Sequence, residues 1–384
     1  MKIGIVTLWW SNDNYGQLLQ CWALQQKLME MGHAPFLIRF KPTYKSTLID
    51  KICKVAMIYP FVKAIFNRYK KNKESYKIVM LDKKNKMRNF EHFREHHLLV
   101  SKELYTTLND LQCNPPTADV YIVGSDQVWA QLLDKKDNAA YFLDFGIKSV
   151  KRISYAASFS MNQYPSKIEV KLQKQLKRFD AVSVREQEGA EICKKSGIYA
   201  QVVIDPTMLI NRRFYDTLLD GWNISKPYIY VYSINIKQQD EICWSELKMV
   251  SEKLRLEIIV TPSSGYFLSE ELFPDVQYIY ATIPQWLSLI MGSNLVVTTS
   301  FHGVVFSILY HRPFVYFPLN GKLGRGNNRV LSLLKILDIS DRIWTNGSTY
   351  EDMCFKQIDW AKVDNVLGRE RQFAQQFLEE VLQN

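Results

Sequence analysis

Apolar and polar positions alternate along this chain in two different rhythms. Short β-branched or aromatic runs predict strands at "KIGIVTLW", "PFLIRF", "DVYIVG", "KRISYAAS", "AVSV" and "QVVID" in the first half. The pattern restarts in the second half with "PYIYVYSI", "LEIIVTP", "NLVVTT" and "PFVYFP". Helical-period stretches fall between several of them. Leu18, Cys21, Leu24, Leu28 and Met31 form the stripe of a helix laid on a sheet, and Gly32 ends it. Further helices are predicted around residues 237–254, at "IPQWLSLIMGS", "GVVFSILY" and "VLSLLKIL", and over about 360–384.

Strands alternating with helices predict α/β units with largely parallel sheets. The restart divides the chain into two Rossmann-like domains, 1–210 and 211–384, whose sheets face a central cleft. The segment "DPTMLINRRFYDTLLDGWNISKP" joins them, and the last helix is expected to pack back across the first domain. Ligands of open parallel sheets bind beyond the carboxyl ends of the strands. Chemistry is therefore sought in the loops that follow them.

Composition narrows the class. With 384 residues and 47% hydrophobic content the chain can bury two cores. The opening "MKIGIVTLWW" has neither the basic nor the long apolar region of a secretory leader, so the protein is expected in the cytoplasm. No apolar run approaches bilayer-spanning length. Six cysteines stand singly, without a C-x-x-C pair, and read as thiols of a reducing compartment.

The charge is uneven. Residues 45–88 hold 13 Lys or Arg against 3 acids and so account for the whole net charge of +10. Ile52, Val55, Ile58, Phe61, Val62, Ile65 and Phe66 lie among these cations, a composition suited to meeting anions and apolar matter together. A plain solvated helical insertion has the same composition. Tyr44, Tyr59, Tyr69 and Tyr76 raise a nucleic-acid reading, but that would leave the loops of both domains unexplained, and no nucleic-acid partner is expected.

Five loops carry candidate chemistry. "SNDNYGQ" offers Asn14 and Tyr15 to a sugar hydroxyl, or merely caps a helix. "GSDQVW" sets Asp126, Gln127 and Trp129 together: a carboxylate to activate a hydroxyl, an amide, and an indole to stack on a pyranose. The plain alternative is a helix cap and a core tryptophan. "AVSVREQEG" ends a strand on Arg185, whose fork suits a carboxylate or phosphate, or a structural ion pair. "TTSFHG" puts His302 at a helix start, where it could carry a proton or simply fill the core. "GKLGRGNNR" gathers Lys322, Arg325 and Arg329 with three glycines before a helix, an anion cradle without P-loop spacing. G-x-G-x-x-G is missing, which argues against NAD or FAD. His92 and His96 in "HFREHH" lack an evident third ligand, so no metal is expected.

With these loops in place the chain resembles the polysaccharide pyruvyl transferase family. "NYGQLLQCWAL", "VGSDQVW", "YFLDF", "ISYAASF", "SVREQEG", "VIDPT", "SFHGVVFSILYHRPF" and "NRVLSLLKILDISDR" occur in the family's order. The resemblance implies a fold similar to the two-domain glycosyltransferase B type. It also implies transfer of the enolpyruvyl unit of phosphoenolpyruvate onto a sugar as a cyclic ketal, on an acceptor bound for cell-surface polysaccharide and commonly lipid-linked. Phosphoenolpyruvate is then a substrate, and no cofactor is needed.

Many relatives carry Arg-Leu-His where this chain has Ser300, Phe301 and His302, so another cation must serve. On this reading His302 shuttles a proton. Arg185, Arg329, Arg325, Lys322 and Ser300 hold the donor in the second domain's side of the cleft. Asp126 activates the acceptor, which Asn14, Tyr15, Gln127 and Trp129 bind from the first domain. Residues 45–88 would dock reversibly on an anionic inner membrane surface. The rival is a glycosyltransferase of the same architecture using a nucleotide sugar.

Overall fold

The computed structural model describes residues 1–42, 83–263 and 271–383. Within them the predicted alternation resolves into two sheets whose strand pairs all run parallel. The first comprises β1 (Lys2–Val6), β2 (Ala34–Phe40), β3 (Val100–Tyr105), β4 (Val120–Val123), β5 (Lys151–Ala157), β6 (Ala181–Val184) and β7 (Gln201–Val202), in the order β3-β2-β1-β4-β5-β6-β7. The second comprises β8 (Tyr228–Tyr232), β9 (Glu257–Val260), β10 (Gln277–Tyr278), β11 (Leu295–Thr298) and β12 (Phe314–Tyr316), in the order β10-β9-β8-β11-β12.

Central strands read as unbroken apolar runs because helices cover both faces of such a sheet. All four residues of β4 and of β11 are buried, as are all five of β8. The two strands that no apolar run announces lie at sheet edges. β3 buries only Ser101 and Tyr105 of its six residues, and β10 is two residues long. An edge strand has one neighbour and a wet face, so its sequence keeps polar residues.

One apolar core runs through both halves. Tyr15 from the first stacks on Trp286 from the second at 5.0 Å with rings 7° from parallel, and Tyr232 meets both edge-on. The helix Phe301–Leu309 is apolar on every side and buries all nine of its residues in that core. The last helix, Trp360–Gln383, ties the halves again. It starts beside the second sheet, where His311 stacks on Trp360 at 4.9 Å. It ends against the first: Arg371 Nε donates to Met208 O at 2.7 Å and Lys151 Nζ to Val381 O at 2.9 Å.

The basic segment lies mostly outside the described residues, in 43–82. Of its four described cations Lys83 and Lys86 are exposed, while Arg88 and Lys84 are not surface charges awaiting an anion. Arg88 is fully buried between the halves and donates to Tyr15 Oη at 2.6 Å and to Pro262 O. Lys84 pairs with Glu271 at 2.6 Å. The expectation of a docking surface over 45–88 therefore loses these two residues. Among the described residues no helix is long and apolar enough to cross a membrane.

Candidate functional site

The loops that follow β1, β4, β8, β9 and β11 meet in a cleft of about 370 Å³ between the sheets. Its lining includes Asn14, Asp126, Gln127, Ser300, His302 and Arg329. Six of the sequence candidates, drawn from four separate loops, are thus brought together. A smaller cavity of about 160 Å³ shares Gln127, Phe301 and Arg329 with it and adds Lys322 and Arg325.

His302 stands on the first turn of its helix, after Ser300, whose side chain accepts from Gly303 N as the N-cap. The ring packs against Gly16: a Cβ there would fall 1.9 Å from Nδ1. Glycine is required because any side chain would occupy the imidazole's space. If His302 carries the proton that the sequence reading assigns to it, Gly16→Ala should cut turnover by about 10²-fold, the scale for displacing such a group by an ångström. The helix itself should not suffer, since alanine favours helix over glycine by about 0.5–1 kcal/mol. Turnover measured beside circular dichroism separates the two effects.

His302 Nε2 is buried, has no hydrogen-bond partner and lies 3.8 Å from Asp205 Oδ1. Asp205 follows β7 and is itself buried. Burial alone would raise its carboxyl. The His302 contact, the Arg185 charge and the Ser125 hydroxyl outweigh that penalty and hold it well below the usual carboxylate range. Arg185 gives Nη1 to Asp205 at 2.7 Å, its Nη2 is 3.5 Å from Asp126 Oδ1, and its Cζ lies 4.6 Å from the Phe301 ring centre. Burial pulls this guanidinium's pKa down, but Asp205, Asp126 and Glu186 together push it above its ordinary value.

Arg329 approaches the same ring from the other half, its Cζ 5.7 Å from the Phe301 centre. Burial and the Arg185 charge lower its pKa, against Asp126 and Glu186. The Gln127 carboxamide lies against this fork and, with its oxygen turned to the guanidinium, accepts from Nη1 at 2.9 Å and Nη2 at 2.7 Å. Gln127 therefore bridges the cleft to Arg329, where the sequence had placed it on the acceptor.

Several expectations are corrected. Arg185 is not an open fork in the cleft: its side chain is 2% exposed, and it stands behind Phe301 and Asp126. Arg329 is the arginine that lines the cleft. Trp129 is wholly buried, donates Nε1–H to Tyr141 O at 2.9 Å and stacks on Phe142 at 5.5 Å, so it fills the core and cannot meet a sugar. The indole in the cleft lining is Trp10. Tyr15 is likewise buried, donating to Ala281 O at 2.6 Å, and burial pushes its hydroxyl up to about 12. Asn14 lines the cleft yet also caps the helix Tyr15–Glu30 through a bond from Gln17 N at 3.2 Å. His92 and His96 stack at 4.0 Å on an exposed helix face. Among the described residues no three His, Cys, Asp or Glu side chains stand as a metal site.

Two buried carboxylates beside the site have no functional role in the sequence reading. Asp205 lies inside the quoted "VIDPT", and the rule that placed the other candidates after strand ends applies equally to it. Glu186 Oε1 accepts from Ser158 Oγ, Phe159 N and Ser160 N at 2.9, 3.0 and 3.3 Å. Burial raises its pKa despite Arg185 and Arg329.

A profile of the family described as polysaccharide pyruvyl transferase matches residues 14–320. Among curated proteins none matches the sequence. Solved structures of similar architecture include Arabidopsis thaliana UGT89C1 complexed with UDP-L-rhamnose, at 10% identity, covering 99% of this chain and 98% of that one with a TM-score of 0.48. Another is the UDP-GlcNAc 2-epimerase of Neisseria meningitidis bound to UDP-GlcNAc, at 8% identity over all of both chains with a TM-score of 0.45.

Proposed function

The chain belongs to the polysaccharide pyruvyl transferase family, and on that premise we propose that it moves the enolpyruvyl unit of phosphoenolpyruvate onto two hydroxyls of a hexose and releases phosphate. The observation that carries this reading is the meeting of His302, Arg329 and Asp126 around one cleft whose neighbour holds Lys322 and Arg325. The donor is small and multiply charged, and these side chains match its parts.

Arg329, with Lys322 and Arg325, meets the phosphate. Charge-assisted hydrogen bonds stabilise the anion as it departs. The donor carboxylate falls at Ser300 and the start of the helix Phe301–Leu309, where the helix dipole favours a negative charge. Arg185 adds its charge from behind Phe301. His302 gives a proton to the methylene carbon, leaving an oxocarbenium-like centre. One sugar hydroxyl, its proton accepted by Asp126, adds to that carbon. Phosphate then leaves with the C–O electron pair, and a second hydroxyl closes the ketal. The second hydroxyl proton restores His302, and the first departs with the phosphate, so one phosphate is released per ketal.

Trp10 offers the acceptor an aromatic face. Acceptors on a lipid carrier, destined for capsule or exopolysaccharide, fit the family. Reversible attachment to an anionic inner membrane would rest on the cations of 45–88 other than Lys84 and Arg88, at about 1 kcal/mol for each one engaged.

Titration calorimetry tests the donor. Phosphoenolpyruvate is expected to bind, and Arg329→Ala to weaken binding by about 10- to 100-fold, the scale of a lost charge-assisted contact. Heat from a nucleotide sugar with none from phosphoenolpyruvate would favour the glycosyltransferase alternative.

A further inference from the structure

Asp205 is the most heavily bonded carboxylate in the site. Oδ1 accepts from Thr207 N at 3.0 Å and from Thr207 Oγ1 at 2.7 Å. Oδ2 accepts from Ser125 Oγ at 2.6 Å and from Arg185 Nη1 at 2.7 Å. These partners sit after β4, after β6 and in the short helix Pro206–Leu209. His302 Nε2 then arrives from the second half, 3.8 Å from Oδ1. A cap for Pro206–Leu209 would need only Oδ1, and asparagine caps as well as aspartate. The cap leaves the burial of a full charge unexplained.

The second observation is the imidazole. Nε2 is sealed from solvent and without a partner, and the carboxylate beside it can only accept. A bare nitrogen lone pair facing a carboxylate is repelled, whereas an N–H in that place is attracted. Catalytic contacts that are long in a free protein often tighten once substrate is bound. The proton on Nε2 leaves Nδ1 as the nitrogen free to exchange a proton with a bound molecule.

We propose that Asp205 is a positioning residue that fixes His302 in the tautomer with hydrogen on Nε2 and anchors Arg185 at the same time, so that Nδ1 serves the chemistry. The tautomer part depends on geometry alone, and the effect on turnover rests on the reading given under Proposed function. Asp205 touches no reacting atom. One carboxylate thereby sets the proton carrier and a buried cation in a common frame shared by both halves of the chain.

The test is ¹⁵N NMR on histidine-labelled full-length protein. The chain has six histidines, and the His302 signal is the one lost in His302→Gln. The wild type is expected to show hydrogen on Nε2, and Asp205→Asn to shift the ring toward the other tautomer or a mixture. Turnover of Asp205→Asn should fall about 10²-fold, within the range for losing a proton carrier's alignment. That loss should largely vanish when His302→Gln is already present. Hydrogen on Nδ1 in the wild type overturns the proposal even if the variant does not fold. Equal losses in both backgrounds overturn it as well. If the wild type consumes no phosphoenolpyruvate, the functional reading fails while the NMR result still decides the tautomer.

Discussion

His302→Gln is expected to slow phosphate release from phosphoenolpyruvate by about 10²- to 10⁴-fold, the usual contribution of a positioned acid–base group. The ring is 5% exposed, lines the cleft and is held from two sides: Gly16 gives it space and Asp205 faces Nε2. Glutamine approximates its size and polarity but cannot carry the proton. Because the ring's packing is largely retained, substrate binding should change little, so kcat should fall while the donor KM stays near the wild-type value. The measurement is a continuous phosphate assay over a range of donor concentrations. A variant with undiminished kcat would return His302 to the role of a buried core side chain.

Arg185→Met should produce the largest loss of stability. The guanidinium balances Asp205 and Asp126 in an interior where its own side chain is 2% exposed. Methionine approximates its volume, but it leaves two carboxylates short of a counter-ion. Removing one partner of a buried ion pair costs about 3–5 kcal/mol. Urea unfolding at neutral pH reads this directly as a lower midpoint. Arg185→Lys keeps the charge without the planar fork and should recover part of the loss.

The sign of the pH dependence follows from Asp205, whose folded pKa is depressed. Its contribution is complete above the unfolded value of about 3.9 and is lost as pH falls through the lower folded value. Arg185→Met should therefore narrow the stability gap to wild type only at strongly acid pH. A midpoint unchanged from the wild type would show that solvent reaches these carboxylates and that the pair is not a buried one.

The sequence displayed the frame of this site more clearly than its furniture. Strand ends were legible because parallel strands covered on both faces must be apolar throughout, as β4, β8 and β11 are. The loops after them consequently pointed to Asp126, Arg185, His302 and Arg329. Which way each side chain faces was a different matter. Trp10 and Trp129 are both strand-end tryptophans, and only packing decides that the first lines the cleft while the second donates to Tyr141 O inside the core.

Tyr15 had the composition of a binding residue and turned out to join the two halves, because Trp286 and Arg88 come to it from far along the chain. Arg185 followed its strand end as expected, yet Asp205 captured the fork that had been assigned to the donor. Gly16 gave no local signal, since its helix would accept another residue; the constraint comes from an imidazole 286 positions away. Such features depend on long-range contacts and have no periodicity to betray them.

The central claim is that this cleft builds a pyruvate ketal from phosphoenolpyruvate. Mass spectrometry of sugar acceptors, free and lipid-linked, incubated with the full chain and phosphoenolpyruvate tests it most directly. The account predicts a product heavier than the acceptor by one pyruvate less one water, with one phosphate released for each. Acceptors that stay unchanged with phosphoenolpyruvate but gain a sugar unit from a nucleotide sugar would contradict it.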